Sequence, residues 1–220
     1  MHQDVVAAVD VVDVILVTKN NLVFTDFELE LKKYAKENGV PIIIDSGLSF
    51  LETIIRTKRP KTILEIGTAI GYSAIRMAKI CNSTIYTIER DINMYNEAKK
   101  NISIANLDNN INIIFKDALE AYDDIKDIKF DLIFIDAAKA QYHKFFDMYT
   151  PLLNDNGVVV CDNMLFHGLV MDTDNYDNLS RSVRGLVRKL NAFHDELLNN
   201  DKYDTVIYDI GDGMSVSVKK

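Results

Sequence analysis

The sequence predicts an α/β protein: a mostly parallel, seven-stranded sheet covered by helices, closed by an antiparallel C-terminal hairpin and preceded by N-terminal helices. Three observations carry that prediction. From Thr62 onward short apolar runs alternate with longer helical patterns, and each run is almost continuously apolar, as strands buried on both faces are. The last two runs are joined only by Gly211-Asp212-Gly213, too short for a helical crossover, so that pair is antiparallel. The 220 residues are 48% hydrophobic, enough for one domain with a sizeable core, and no linker, repeat or low-complexity tract divides them.

The elements follow in order. Val5, Val9, Val12 and Leu16 keep helical spacing and predict an amphipathic first helix, although β-branched valines also suit a strand. Residues 26–38 form a second helix, stopped by Gly39 and Pro41, and residues 46–58 a third. Strands are expected at 62–66, 84–89, 111–116, 131–135, 158–161, 205–210 and 214–218, with helices at 72–80, 93–106, 140–153 and 178–199.

Composition narrows the function. A net charge of −8 counts against indiscriminate nucleic-acid binding, which needs a positive field, but leaves room for a local basic patch. Cys81 and Cys161 follow no metal or redox spacing; Cys161 sits in an apolar run as a small hydrophobe, and a reducing, cytoplasmic setting is expected. Asp4, Asp10 and Asp13 interrupt the apolar N-terminus and no basic leader precedes it, unlike a signal peptide. No apolar run approaches the roughly 20 residues of a spanning helix, so no membrane partner is expected.

The chemistry collects at strand ends, where open α/β sheets bind ligands. Ile63-Leu64-Glu65-Ile66-Gly67-Thr68-Ala69-Ile70-Gly71-Tyr72-Ser73 is a strand carrying an acid, a glycine turn and a helix start: a nucleotide-cofactor cradle with Glu65 and Gly67 at its edge. Its G-x-x-x-G pattern, alone, also suits a structural turn. Glu89 ends the next strand about 20 residues on, where an acid accepts bonds from ribose hydroxyls. Asp117-Ala118 ends the third, where an Asp accepts the adenine amino group, or caps a helix, or both. Without the G-x-G-x-x-G phosphate fingerprint, the three together favour S-adenosylmethionine over NAD. Asp136 and the pair Asp162-Asn163 close two further strands. Two carboxylates and an amide make an all-oxygen set suited to Mg²⁺, Mn²⁺ or Ca²⁺, and no Cys/His cluster points to zinc. Lys139, three residues past Asp136, suits a general base or a group that orients a substrate oxygen.

These residues resemble the class I, cation-dependent O-methyltransferases, the family of catechol and caffeoyl-coenzyme A O-methyltransferases. The resemblance runs from about Pro41 to the C-terminus, on Leu64-Glu65-Ile66-Gly67-Thr68, Phe134-Ile135-Asp136-Ala137-Ala138-Lys139 and Asp162-Asn163. Within the family, residues 63–78, Tyr86-Thr87-Ile88-Glu89-Arg90, Asp162-Asn163-Met164-Leu165-Phe166 and Gly211-Asp212-Gly213 are most similar to the bacterial branch that methylates 5-hydroxyuridine at the wobble position of tRNA. The resemblance implies a Rossmann-like methyltransferase sandwich, with cofactor contacts at Ile43, Ser73, Glu89, Asp117, Ala118 and Asp136. It implies metal ligation by Asp136, Asp162 and Asn163, catalysis by Lys139 and Asp136, and a homodimer formed partly through a helical cap at residues 1–60. The chain departs from the family at His167, where Lys or Arg is common, and at Ala140, where Gly is frequent. A tRNA substrate needs phosphate contacts. Arg181, Arg184 and Arg188 share a helix face, and Arg56, Lys58 and Arg59 cluster before the first strand, so both groups are expected to serve.

Overall fold

The computed structural model describes residues 22–166, 168–170 and 176–220; the helix expected at residues 5–16, and His167, lie outside them. Strands β1 (Thr62–Ile66), β2 (Thr84–Glu89), β3 (Ile111–Phe115), β4 (Phe130–Ile135), β5 (Leu153–Cys161), β6 (Tyr203–Tyr208) and β7 (Met214–Lys219) form one sheet in the order β3-β2-β1-β4-β5-β7-β6. β1 pairs in parallel with β2 and β4, and the parallel set extends to β3 and β5. β7 runs antiparallel to both β5 and β6, so the expected closing hairpin is present. Leu64, Ile66, Ile133 and Ile135 face one core, and Ile63, Leu132, Phe134 and Val160 the other; this is the period-2 alternation of a sheet covered on both sides.

Helices α1 (Asp26–Asn38), α2 (Asp45–Lys58), α3 (Tyr72–Cys81), α4 (Ile92–Ile104), α5 (Tyr122–Ile125), α6 (Tyr142–Tyr149) and α7 (Arg181–Leu198) surround it. Three expectations change here. The helix expected at 140–153 is only α6, flanked by 3-10 turns at Lys139–Gln141 and Thr150–Leu152; Pro151, which lacks an N–H, falls in the second. β5 accordingly begins at Leu153 rather than 158, with an irregular register between Phe130 and Leu132 where Asn156 takes φ 57°. α5 falls in a stretch where no element was expected.

α1 and α2 are fixed to α3 by a buried ion network. Thr25 and Glu28 form a reciprocal capping box at the start of α1. Arg76 of α3 donates to Glu28 (3.0 Å), to the Val23 carbonyl (2.9 Å) and, through two nitrogens, to Glu52 of α2. Lys79 reaches the other Glu28 oxygen at 3.1 Å. Burial pushes the Glu28 carboxyl up, but the Thr25 N–H, Lys79 and Arg76 together hold it below its ordinary value. This network matters for function because the chain between α1 and α2, Val40-Pro41-Ile42, walls the cleft described next.

Candidate active site

The strand order reverses direction between β1 and β4, and a cleft of about 370 Å³ opens there, beyond the carboxyl ends of the strands. Gly67, Ser73, Glu89, Asp117, Ala118, Asp136, Lys139 and Asn163 all border it. Residues up to 96 positions apart are thus brought into one cavity by the common direction of the five parallel strands.

The cradle side is built on left-handed backbone. Gly67, Ala69 and Gly71 have φ of 102°, 46° and 83°. Glu89 ties the turn down: one carboxylate oxygen accepts the Ala69 N–H at 2.8 Å, and the other accepts Arg90 and Asp91 N–H groups, each at 2.8 Å. A carboxylate accepts about four hydrogen bonds, so the oxygen facing Ala69 keeps capacity for a ligand hydroxyl. Asp117 accepts the Leu119 N–H (2.9 Å) and pairs with Arg90 (3.2 Å), while the Ala118 carbonyl takes the Tyr149 hydroxyl. The Ile43 side chain is buried in the core against Gly47, and the side chain on the cleft wall is that of its neighbour Ile42. Adjacent residues of an extended segment face opposite ways, so only one of the pair reaches the cavity.

Glu65 is completely buried beneath the turn, 0% exposed, and does not border the cleft; Thr87 donates to it and in turn meets Thr68 at 2.6 Å. Burial pushes its carboxyl up to about 8, against the pull of the Ser73 and Thr87 hydroxyls. An acid raised in the folded state binds more protons there than when unfolded. Its burial therefore costs nothing below about 4.5 and lowers stability progressively as pH climbs towards 8. Glu65→Gln keeps the shape of the protonated acid and is expected to raise the ligand-free melting temperature at pH 8 by roughly 5–10 °C, with little change at pH 4.5. Thermal scans of both proteins at the two pH values check this; equal shifts at both would refute it.

Asp136, Asp162 and Asn163 converge from β4 and β5. Asn163 Nδ2 meets Asp136 Oδ1 at 3.1 Å, and the Asn163 backbone N–H donates to Asp162 Oδ1 at 2.7 Å. Asp162 is only 4% exposed. Burial raises both acids; Asp136 adds repulsion at Asp162, and Lys139 pulls both back down. A buried and a half-buried acid without a full counter-charge form a donor set that fits a hard divalent cation. The amide contributes its oxygen to such an ion after a half-turn of its last torsion. The loop carrying them is held from three sides. Tyr142 donates to the Asp162 carbonyl (3.0 Å) and His194 to the Met164 carbonyl (2.9 Å). Met164 and Leu165 N–H groups donate to the Gly213 and Asp212 carbonyls of the β6–β7 turn at 2.9 and 2.8 Å. Asn163 and Phe166 sit at φ 59° and 47°, conformations that side chains take at constrained, often functional positions. Lys139 Nζ lies 5.6 Å from the centre of the Phe166 ring.

The two basic groups separate. α7 carries Arg181, Arg184 and Arg188 in its first half, while its second half packs against the elements that follow β4 and β5: His194 meets the Met164 carbonyl, and Glu196 meets His143. Arg181 and Arg188 are exposed and Arg184 is half-buried. Arg56, Lys58 and Arg59 instead lie just before β1, at the far edge, roughly 15 Å away along a five-residue strand. Arg56 pairs with Glu52, Lys58 donates to the Asn156 carbonyl, and Arg59 closes α2 in a left-handed turn. The structure removes this cluster from the neighbourhood of the cleft. Elsewhere His143 stands between Asp147 and Glu196, one carboxylate at each ring nitrogen; that is a clasp between α6 and α7, since one ion cannot use both edges of a ring.

Sequence reading missed the polar atoms that await a partner. Tyr72 and Gln141 border the cleft, and the Tyr72 hydroxyl and the Gln141 amide oxygen are buried without a hydrogen-bond partner among the described residues. It also missed Arg90, which meets Asp117 in the cavity wall.

Fold and site together define a Rossmann-like methyltransferase. Residues 26–220 match the O-methyltransferase family model, and the chain belongs to that family. It is 32% identical over 196 residues to the catechol O-methyltransferase of Niastella koreensis, covering 84% of this chain and 86% of that one. It is 27% identical over 198 residues to the caffeoyl-CoA O-methyltransferase of Populus kitakamiensis, with 86% and 82% covered. Among solved structures, a "putative caffeoyl-CoA O-methyltransferase" from Staphylococcus aureus is 40% identical, with a TM-score of 0.84 over 90% of this chain and 93% of that one. Among the described residues no helix is long and apolar enough to cross a membrane.

Proposed function

We propose that the chain is an S-adenosylmethionine- and divalent-cation-dependent O-methyltransferase, and that its acceptor is 5-hydroxyuridine at the wobble position (34) of tRNA, converted to 5-methoxyuridine. The observation that carries the reaction class is continuity: a ribose acid, Glu89, and a base-end pair, Asp117-Ala118, share one cleft with Asp136 and Asn163, and Asp162 adjoins them. When bound, the sulfonium supplies the methyl group, and a cation held by Asp136, Asp162 and Asn163 lowers the pKa of an acceptor hydroxyl. The protein's own part is orientation. Lys139 reaches into the cleft beside Asp136 and positions the acceptor oxygen; the apolar walls Ile42, Leu119 and Phe145 exclude water.

The choice of acceptor rests on the basic face of α7 in a chain whose net charge is −8. 5-Hydroxyuridine, like catechol, offers two adjacent oxygens, as a cation between carboxylates needs. Changing Arg181, Arg184 and Arg188 together to Ala is expected to raise the KM for modified tRNA at least tenfold. The slope of log affinity against log salt should fall by roughly 2–3, while turnover of free catechol is unchanged. Unaltered tRNA affinity counts against this helix as the contact. The relationship to a catechol O-methyltransferase favours a second reading, a small catechol-type acceptor. One experiment separates them: incubate the protein with labelled S-adenosylmethionine, Mg²⁺ and either tRNA bearing 5-hydroxyuridine or free catechol, and identify the methylated product by mass. Faster turnover of catechol overturns the tRNA assignment.

A further inference from the structure

We propose that Gly213 is a positioning residue for the divalent cation: by holding a one-residue slip between β5 and β7, it sets the direction in which Asn163 presents its amide beside Asp136 and Asp162. The proposal rests on the cation reading above and adds what aims the ligands. It also gives a task to Gly211-Asp212-Gly213, a turn far from the ligands in sequence.

The strand register reveals the slip. β5 and β7 pair antiparallel as Val158↔Val218, Val159↔Ser217, Val160↔Val216 and Cys161↔Ser215. Continued past the end of β5, this register sets Asp162 opposite Met214, Asn163 opposite Gly213 and Met164 opposite Asp212. The hydrogen bonds found there run one residue out of step. Met164 N–H donates to the Gly213 carbonyl at 2.9 Å, and Leu165 N–H to the Asp212 carbonyl at 2.8 Å. One extra residue is therefore held on the β5 side, and Asn163, at φ 59°, is the left-handed residue that absorbs it. Such a bulge turns a side chain out of the alternation of its strand. Here it brings Asn163 Nδ2 to 3.1 Å from Asp136 Oδ1.

Gly213 keeps the slip in place because nothing larger fits. It is buried, at φ 85°, and a Cβ built on it falls 2.4 Å from Leu165 Cγ, 2.6 Å from Leu165 N and 2.9 Å from Leu165 Cβ. The loop does not retreat freely, since His194 holds the Met164 carbonyl and Tyr142 the Asp162 carbonyl. The turn is fixed as well: Gly213 N–H donates to the Ile210 carbonyl at 3.0 Å, and Ser215, two residues on, is fully buried in the pairing with Cys161. Relief of a side chain at 213 therefore falls on the bulge, the one place already off the ladder, and moves Asn163 relative to Asp136. Glu89 and Asp117 end β2 and β3, beyond β4 and β1 from this turn, so the cofactor end is spared.

Gly213→Ala tests this with two probes used separately: Mn²⁺ alone, followed by the resonance of the free ion, and S-adenosylhomocysteine alone, by calorimetry. At a temperature where it is folded, the variant is expected to bind Mn²⁺ at least about tenfold more weakly and S-adenosylhomocysteine within about twofold of the parent. Gly211→Ala is the control for backbone strain: at φ 70° its added Cβ meets Gly47 and Ile44 at an ordinary 3.6 Å, and it should bind Mn²⁺ as the parent does. Gly213→Ala/Leu165→Ala removes the Leu165 Cγ from the collision and should regain part of the lost Mn²⁺ affinity. If Gly213→Ala does not fold, this double variant carries the test, with the same weakening of Mn²⁺ alone expected. Unchanged Mn²⁺ affinity, or equal losses for Mn²⁺ and S-adenosylhomocysteine, overturns the positioning role of Gly213. A parent protein that binds S-adenosylhomocysteine but no Mn²⁺ overturns the cation reading and the proposal with it.

Discussion

Asp162→Ala is expected to reduce methyl transfer by more than about 100-fold while the protein stays folded. Losing an outer partner of a metal ligand typically costs about 10–100-fold, and Asp162 is proposed as a ligand itself. The structural consequence runs the other way. In the ligand-free protein Asp162 is a buried acid beside Asp136 and Asp212, and these neighbours disfavour its charge. Removing it relieves that repulsion at the expense of one hydrogen bond, from the Asn163 N–H. Asp162→Asn keeps an oxygen for that N–H and loses only the charge, so it is expected to be as inactive and to melt at or above the parent temperature. Mg²⁺ binding to the native state alone raises a melting temperature; that rise should appear in the parent and vanish in both variants. Full turnover in Asp162→Ala, or in the parent with excess EDTA, removes the cation from the mechanism.

The strand ends made most of this site legible. Once the alternation of apolar runs and helices is read as a parallel sheet, every residue just past a strand lies on one edge, whatever its distance in sequence. Glu89, Asp117, Asp136 and Asn163 meet for that reason. The same rule places the Arg56, Lys58 and Arg59 cluster: residues just before β1 belong to the other edge, and grouping them with α7 by charge ignored that direction. Other features had no local signal. Arg76 reads as a solvated cation in a short helix, because its partners Val23, Glu28 and Glu52 stand 24 to 53 positions away. Whether Ile42 or Ile43 faces the cleft depends on how α2 docks, which periodicity cannot fix over so short a segment. The start of β5 was hidden because Asn154, Asp155 and Asn156 lack strand character; tertiary pairing of Leu153 with Phe130 carries it.

Gly67→Ala is expected to be the most damaging single-methyl change in the chain, because Gly67 is where the cofactor cradle and the acidic loop touch. A Cβ built there falls 2.0 Å from the Asp136 carbonyl oxygen and 2.9 Å from its carbon, on a backbone with φ 102°. Both neighbours are fixed: Gly67 N–H is bonded to Ile88 (3.1 Å) and Asp136 N–H to Ile66 (3.0 Å), so neither chain yields without breaking the strand ends. Backbone strain and overpacking together cost about 2–5 kcal/mol, a fall in melting temperature of roughly 5–15 °C for a chain of this size. The functional loss should exceed the stability loss. Relief of the clash pushes the end of β4 outward, which moves Asp136 relative to Asn163 and opens the cradle at once. Affinity for S-adenosylhomocysteine and turnover are both expected to fall by about 100-fold or more, even at a temperature where the variant is fully folded. Gly71→Ala is the control: its added Cβ meets the Ala98 side chain at 3.4 Å, so it carries the strain of a positive φ without a backbone collision. It should lose stability with a smaller loss of binding. A Gly67→Ala protein that melts and binds S-adenosylhomocysteine like the parent would show that the turn and the Asp136 loop move independently, and the single cleft that joins cofactor to acceptor would have to be redrawn.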